Sequence, residues 1–373
     1  MQTLTDALRR HATERPDAPA VIYGDLQVSW QALEQRVIRL TAWLAEAGVG
    51  PGTVVALVMK NSPAFIDLTF SVSYLGGVLL PLNYRLSGDE IAYISADAEA
   101  ALMFVDAEFD TRTETIPVRR IVVTPDLQSE LRSLSGRGPS VPPPGPRAPD
   151  DLFRLMYTSG TTDRPKGVIH SYGNLAWKAA DQISDLGLGP DDRLCITGPL
   201  YHVGASDLPG LSVLIAGGSV SLIREFSADA VLTTIERDRV TGIWMAPVMT
   251  SRVLDRAAAG TWDLTSLRWC TGGGDRTPEA RIRQFNRVVP NARYIDSYGL
   301  TETCSGDTTM VAGMELAKIG SVGRPLAHVE IEIRDEDGTP LPAETSGEIC
   351  IRGPKVTAGY WKNPERTAAA FWP

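Results

Sequence analysis

The sequence is short of the residues on which several chemistries depend. Four cysteines, Cys195, Cys270, Cys304 and Cys350, are scattered through 373 residues with no Cys-x-x-Cys pair. That pattern offers neither a zinc site nor a disulfide framework and points to a reducing, cytoplasmic setting. Histidine is equally scarce, with only His11, His170, His202 and His328. Positive charge is in deficit, 36 Lys and Arg against 45 Asp and Glu for a net charge of −9. Phosphate backbones select basic surfaces, so nucleic acid is a poor fit as main partner. No apolar run approaches membrane-spanning length. Arg9, Arg10, Glu14 and Arg15 interrupt any signal-peptide layout at the N-terminus. There is no Gly-x-Ser-x-Gly elbow of a serine hydrolase. No Gly-x-Gly-x-x-Gly follows a strand, so dinucleotide binding is unsupported. The acidic turn Asp335-Glu336-Asp337-Gly338 lacks the alternating carboxylates and terminal Glu of a calcium loop.

What is present suits a folded enzyme-sized chain. Hydrophobic residues are 43% and charged residues 22%, enough for a sizeable core, and the length suggests two or three compact units. Buried apolar runs such as Val54 to Met59 and Val78 to Pro81 alternate with helical patterns such as Trp30 to Ala47 and Ser62 to Leu75. Ser87 and Glu90 form a capping box for a further helix. This alternation predicts mostly parallel sheets covered on both faces, an α/β class. Residues 135–150 are rich in Pro, Gly and Arg and read as an extended surface linker. The alternation resumes through candidate strands at 193–197, 219–223, 242–245, 267–271 and 292–298, with helices at 172–186, 227–237, 248–258 and 278–288. From about 320 to 362 the pattern changes to β-hairpin material, and Asn363-Pro364 starts a last helix.

The stretch with the clearest chemistry is Tyr157-Thr158-Ser159-Gly160-Thr161-Thr162-Asp163-Arg164-Pro165-Lys166-Gly167, which follows the apolar strand Leu152 to Met156. Hydroxyls and backbone N–H groups donate to phosphate oxygens, a lysine supplies a point charge, and glycine lets backbone approach a ligand. It is not the Walker A loop, because Pro165 precedes Lys166 and Gly167 follows it.

This loop resembles the signature Thr-Ser-Gly-Thr-Thr-Gly-x-Pro-Lys-Gly of the adenylate-forming superfamily, which includes acyl-CoA synthetases, luciferases and the adenylation domains of peptide synthetases. Asp163 stands where that family has glycine. Further stretches match in order: Pro199-Leu200-Tyr201-His202-Val203-Gly204-Ala205, Thr271-Gly272-Gly273-Gly274-Asp275, Tyr298-Gly299-Leu300-Thr301-Glu302, and Gly347 to Gly353 with Gly359-Tyr360-Trp361. The resemblance implies the family's large N-terminal domain, two βα-layered sheet subdomains and a smaller β-barrel-like subdomain, across residues 1–373. The sequence ends before the family's Thr-Gly-Asp motif, so that motif, the hinge and the mobile C-terminal domain are expected to be absent from it.

By the same resemblance, Thr158, Lys166, His202 and Glu302 are catalytic candidates, with Glu302 also holding Mg²⁺. Ser159, Gly160, Thr161, Thr162 and Asp163 contact the nucleotide, together with Gly272, Gly273, Gly274, Asp296, Ser297, Tyr298, Gly299 and Thr301. Tyr298 stacks on adenine and Thr301 touches phosphate. His202, Trp244 and the three glycines border the acyl pocket. The implied reaction joins a carboxylic acid to coenzyme A through an acyl-AMP formed from ATP. Rival readings are an adenylation domain serving a carrier protein and a non-catalytic acyl-adenylate-binding protein. Gly242 to Pro247 offers no carboxylate for a substrate amine, which favours a fatty, aryl or terpenoid acid, bulky and hydrophobic. The Ala-, Arg-, Gly- and Pro-rich composition, with Asp163, resembles ligases of bacterial natural-product pathways, including those for diterpenoid acids. Two readings of Asp163 stay open: a carboxylate against the β- and γ-phosphates gives weak ATP-dependent adenylation, use of preformed acyl-AMP and a separate adenylating partner, whereas an Asp163 turned outward or paired with Arg164 leaves a fully competent ATP-dependent acyl-CoA synthetase.

Overall fold

A computed structural model describes residues 2–127, 141, 143–158 and 164–371. The nucleotide-loop candidates Ser159, Gly160, Thr161, Thr162 and Asp163, and most of the proline-rich stretch before 141, lie outside the described residues.

Strands β1 (Pro19–Tyr23) and β2 (Leu26–Ser29) open the chain. Then β3 (Val54–Val58), β4 (Val78–Pro81), β5 (Leu102–Asp106), β6 (Arg119–Val123), β7 (Leu152–Thr158) and β8 (Lys166–Ser171) form a six-stranded sheet in the order β6-β5-β3-β4-β7-β8. Its neighbours are parallel except for the antiparallel β7/β8 pair. The second half supplies β9 (Arg193–Ile196), β10 (Ser219–Leu222), β11 (Gly242–Met245), β12 (Trp269–Gly272), β13 (Arg293–Tyr298), β14 (Thr308–Thr309) and β15 (Arg324–Pro325). With β1 and β2 they make a nine-stranded sheet, β15-β14-β13-β12-β11-β9-β10-β1-β2, parallel in its middle and antiparallel at both edges. The hairpin β16 (Glu330–Arg334) and β17 (Glu348–Arg352) stands apart as a two-stranded sheet.

Local chemistry sets the helix boundaries. Ser29, Ser62, Ser171 and Ser227 cap helices Trp30–Glu46, Pro63–Leu75, Tyr172–Leu186 and Ala228–Asp238, each accepting a backbone N–H. The Ser87/Glu90 capping box is present on Gly88–Asp97. All five residues of β3 are buried, as expected of a parallel strand covered on both faces. One core packs side chains of both sheets around helices Leu4–Glu14, Trp30–Glu46, Pro63–Leu75 and Tyr172–Leu186. Two smaller cores fill the outer faces, one under helices Ala228–Asp238, Pro247–Ala258 and Glu279–Val288, the other under Gly88–Asp97.

The sequence reading missed β5, β6 and β8. Strand β8 matters most: the Ser- and Thr-rich stretch joins two antiparallel strands, with Thr158 paired to Lys166, and only then does the chain enter a helix. Thr158 ends β7, while Trp244 sits in β11, Gly272 ends β12 and Tyr298 ends β13. Ligand sites of parallel sheets lie at these carboxyl ends.

Candidate functional site

Several candidate residues converge where the ends of β7 and β13 meet the start of β8. Lys166, the first residue of β8, places its Nζ 2.7 Å from the Tyr360 hydroxyl, to which it donates, and 3.3 Å from Glu302 Oε1. The Tyr360 O–H donates to the same Glu302 oxygen at 2.8 Å. Burial works against the lysine's charge, but Tyr360 and Glu302 outweigh it and hold the pKa above its ordinary value. The chain after β17 builds this corner. Ile169 N–H donates to Gly359 O at 3.1 Å, Trp361 N–H to Gly167 O at 2.8 Å, and Thr357 N–H to Glu302 O at 2.7 Å. Tyr360 thereby lies as an added strand against Val168. The sequence reading treated Gly359-Tyr360-Trp361 as structural, and no local signal tied Tyr360 to Lys166, 194 residues away.

A second network positions Thr301 from beneath. Arg154, in the middle of β7, donates its Nη1 to Asp207 Oδ1 at 2.9 Å and its Nε to His170 Nδ1 at 2.9 Å. His170 Nε2–H donates to the Thr301 carbonyl at 2.7 Å. Burial, then the neighbouring Arg154 charge, pushes the His170 pKa down to about 3, so the ring is neutral with its proton on Nε2. A buried arginine inside an apolar strand was the sequence signal for this network, and it went unread.

The other candidates divide by role. Thr158 Oγ1 is buried without a hydrogen-bond partner among the described residues. Thr158, His202 and Thr301 line one cleft of about 290 Å³ with Leu82, Tyr157 and Tyr201. His202 Nδ1 accepts from Gly204 N–H at 3.0 Å, which leaves Nε2–H as a donor. Its ring is solvent-accessible in the cleft, yet the surrounding protein lowers its pKa, with Asp207 pulling the other way. Tyr298 is half-buried, and its backbone carbonyl accepts from Asp307 N–H at 2.6 Å. Ser297 donates to Thr308 O at 2.8 Å, which fixes the β13 edge. Asp296 faces Gly272 across β12/β13, and burial pushes its pKa up to about 6.

The three glycines after Thr271 serve three purposes. A Cβ on Gly272 would stand 2.1 Å from the Tyr294 hydroxyl, so packing alone requires glycine there. Gly274 has φ +88°, a left-handed backbone that glycine favours. Gly273 faces the candidate acyl wall: its Cβ would meet Ser297 O at 3.1 Å, Trp244 Nε1 at 3.6 Å and Leu208 Cδ2 at 3.9 Å. Trp244 is wedged between Gly198 and Gly204, and its Nε1 also has no partner among the described residues. Gly299 lets its turn close against Gly306 N, 2.2 Å from where a Cβ would be.

Glu302 is the metal candidate. No group of three His, Cys, Asp or Glu side chains that could hold a metal occurs among the described residues. A lone half-exposed carboxylate fits Mg²⁺, which is commonly held by one or two carboxylates together with substrate phosphates. No helix among the described residues is long and apolar enough to cross a membrane.

Comparison with known proteins identifies the family. A family profile described as AMP-binding enzyme matches residues 8–361. Feruloyl-CoA synthase of an Amycolatopsis species is 33% identical over 96% of this chain and 72% of its own length. Indoleacetate–CoA ligase of Aromatoleum aromaticum is 33% identical over 99% of this chain and 73% of its own. The o-succinylbenzoate coenzyme A synthetase of Bacillus subtilis, solved with ATP and magnesium, superposes with a TM-score of 0.88 at 29% identity, covering 98% of this chain and 74% of that one. The N-terminal domain of FACL13 from Mycobacterium tuberculosis superposes at 0.89 with 27% identity, covering 100% and 94%. The fold matches the N-terminal domain of adenylate-forming enzymes, and the chain belongs to the AMP-binding, adenylate-forming family, among relatives that are acid–CoA ligases.

Proposed function

We propose that residues 1–373 are the large nucleotide- and acid-binding domain of a carboxylic acid–CoA ligase. The observation that carries this reading is the Lys166–Tyr360–Glu302 corner beside the unpartnered Thr158 hydroxyl. It sets a fixed cation and a carboxylate at the start of β8, where Lys166 pairs with Thr158 across the strands, and these groups suit a polyphosphate ester. In the first half-reaction a carboxylate oxygen attacks the α-phosphorus of ATP, and pyrophosphate leaves. In the second, the thiol of coenzyme A attacks the acyl carbon, and AMP leaves. Lys166 and the Thr158 hydroxyl bind phosphate oxygens, Tyr298 stacks on the base and Thr301 is held in place by His170. His202 presents its Nε2–H to the acyl end. The cleft at Thr158 and His202 gives the thiol its approach. A magnesium ion on Glu302 would neutralise phosphate charge. The wall of Trp244 and Gly273 suits a bulky hydrophobic acid.

Asp163 supports a finer reading. In the family the glycine at that position lies against the β- and γ-phosphates. A carboxylate about 5 Å from a phosphate costs about 3 kcal/mol per unit charge at an effective dielectric near 20. Acyl-AMP lacks those two phosphates. The protein is then poor at ATP-dependent adenylation, accepts preformed acyl-AMP and depends on a separate adenylating enzyme. The test uses full-length protein and compares ATP–pyrophosphate exchange with acyl-AMP-to-CoA transfer. Low exchange restored by Asp163→Gly, beside intact transfer, is expected. Robust exchange indifferent to Asp163→Gly refutes the adenylation defect. Absence of transfer from any acyl-AMP refutes the ligase reading itself.

A further inference from the structure

Helix Tyr172–Leu186 carries two buried polar side chains, one turn apart, that the reaction above does not use. Lys178 is fully buried, and its Nζ has no hydrogen-bond partner among the described residues. Gln182 is fully buried, and among the described residues neither its amide oxygen nor its nitrogen has one. Both side chains end at the same place. A Cβ on Gly306 would stand 2.5 Å from Lys178 Nζ and 3.1 Å from Gln182 Nε2. The same point is 2.9 Å from Leu208 Cδ1, while the other methyl of Leu208 lies 3.9 Å from the Cβ position of Gly273. One leucine side chain thus separates the Gly273–Trp244 wall from the Lys178–Gln182 pair. Two glycines and a leucine put little side-chain bulk between the two.

The charges around Lys178 do not close. It faces Asp207, Asp307, Lys355 and the Cys304 thiol. Asp207 is engaged by Arg154. Asp307 takes Lys355 Nζ and the Thr303 hydroxyl, both at 2.5 Å. Three buried cations therefore share two carboxylates, and Lys178 is the one left over. Burial, then the Lys355 charge, pushes its pKa down to about 7. An unpaired buried amine beside an unpaired buried amide is costly, and native proteins keep such groups rarely. An oxygen acceptor delivered by a ligand would take hydrogen bonds from both Lys178 Nζ and Gln182 Nε2.

We propose that Lys178 and Gln182 form the far end of the acyl pocket and select acids that carry an oxygen acceptor remote from the reacting carboxyl group. That acceptor is a ketone, a hydroxyl or a second carboxylate. The inference rests on the acid-ligase reading of the site. A pocket built to hydrogen-bond a substrate group discriminates strongly against the analogue that lacks it. The probes are non-hydrolysable acyl-sulfamoyl adenosines in matched sets whose far ends are hydrocarbon, ketone or carboxylate, titrated calorimetrically into this chain. An oxygenated member should bind at least about tenfold tighter than its hydrocarbon match. The ketone and carboxylate arms tell a neutral acceptor from a charged one. Lys178→Met and Gln182→Leu should each cut that ratio to below about threefold. Lys178→Met should also raise the melting temperature without ligand, because it removes an unpaired amine. Equal affinities across a set overturn the proposal while leaving the ligase reading intact. So does a tenfold ratio that survives both substitutions. If no member binds at all, the ligase reading fails and this inference with it.

Discussion

Replacing Asp207 by Asn separates what the buried Arg154 network does for stability from what it does for the site. The side chains of Arg154 and Asp207 are 3% and 0% exposed. Ser206 Oγ donates to the same carboxylate at 3.1 Å. Asn keeps the shape and one acceptor but removes the charge, leaving Arg154 uncompensated with Lys178 as a second cation nearby. Breaking a buried pair on one side costs about 3–5 kcal/mol, and the retained acceptor puts this case near 3. For a chain of this length, with an unfolding entropy of about 2.1 cal/mol/K per residue, that is a melting temperature about 4 °C lower. The same change frees Arg154 from one side, so His170 holds the Thr301 carbonyl less firmly. Affinity for an acyl-adenylate analogue should fall about tenfold, equivalent to about 1.4 kcal/mol. The paired variant Arg154→Met/Asp207→Leu removes both charges. It should recover the melting temperature, since apolar replacement of a buried ion pair is often neutral or better. It should not recover affinity, because nothing then orients His170. Differential scanning calorimetry and isothermal titration on the three proteins decide the matter. A single-variant loss below about 1 kcal/mol, or recovery of affinity in the double variant, refutes the reasoning.

Tyr360→Phe removes the hydroxyl that links Lys166 and Glu302. The lost hydrogen bonds to charged groups are worth about 1.5–3 kcal/mol, so the melting temperature should fall by about 2–4 °C, and affinity for ATP with magnesium should drop at least about tenfold by titration as Lys166 and Glu302 lose their fixed positions. Gly273→Leu should exclude bulky acids and spare small ones in competition binding against acyl-AMP analogues, whereas equal loss across sizes would indicate misfolding. Acid should destabilise the protein from the buried histidines upward. His170 stays neutral in the fold down to about pH 3, whereas in the unfolded chain it takes a proton below about pH 6.5. The unfolded state binds the extra proton across that window, so stability falls as pH falls. From pH 7 to pH 5 the His170 contribution is about 2 kcal/mol, with His11 and His202 adding in the same direction. Asp296, its pKa raised to about 6, opposes them below that pH. Urea denaturation at the two pH values should be flatter for His170→Gln.

The fold was largely legible because its determinants are local. Apolar runs set β3, β4 and β11, and serine caps set the starts of helices Trp30–Glu46, Pro63–Leu75 and Tyr172–Leu186. Strand β6 was not, because its residues Arg119 to Val123 are mostly exposed or half-exposed and give no buried run to read. Strand β8 mixes Lys166, His170 and Ser171 with two apolar residues, and its extended state comes from pairing on both sides, with β7 and with the Gly359–Trp361 segment. Thr158, Lys166, His202 and Glu302 were singled out together because their stretches match the family's motifs in order, although the His202 and Glu302 stretches carry little signal alone. Residues whose role comes only from a distant partner escaped. Tyr360 reads as a packing aromatic until β8 brings Lys166 beneath its hydroxyl.

Lys178 makes the same point in reverse. On an amphipathic helix a lysine reads as solvated, and nothing within helical reach of it predicts otherwise. Its burial follows from tertiary packing: the turn at Ser305–Gly306, pulled in by Lys355 donating to the carbonyls of both residues at 3.0 and 2.9 Å, covers the helix face that would have been wet. Lys355 spends its third donor on Asp307, the carboxylate that would otherwise have paired Lys178. The contact that buries the one amine therefore also takes away its counter-charge. A chain under selection for stability alone could replace that amine with methionine at little cost in shape. That the fold keeps it unpaired, one leucine away from the Gly273 wall, is the reason to look for its partner in the substrate.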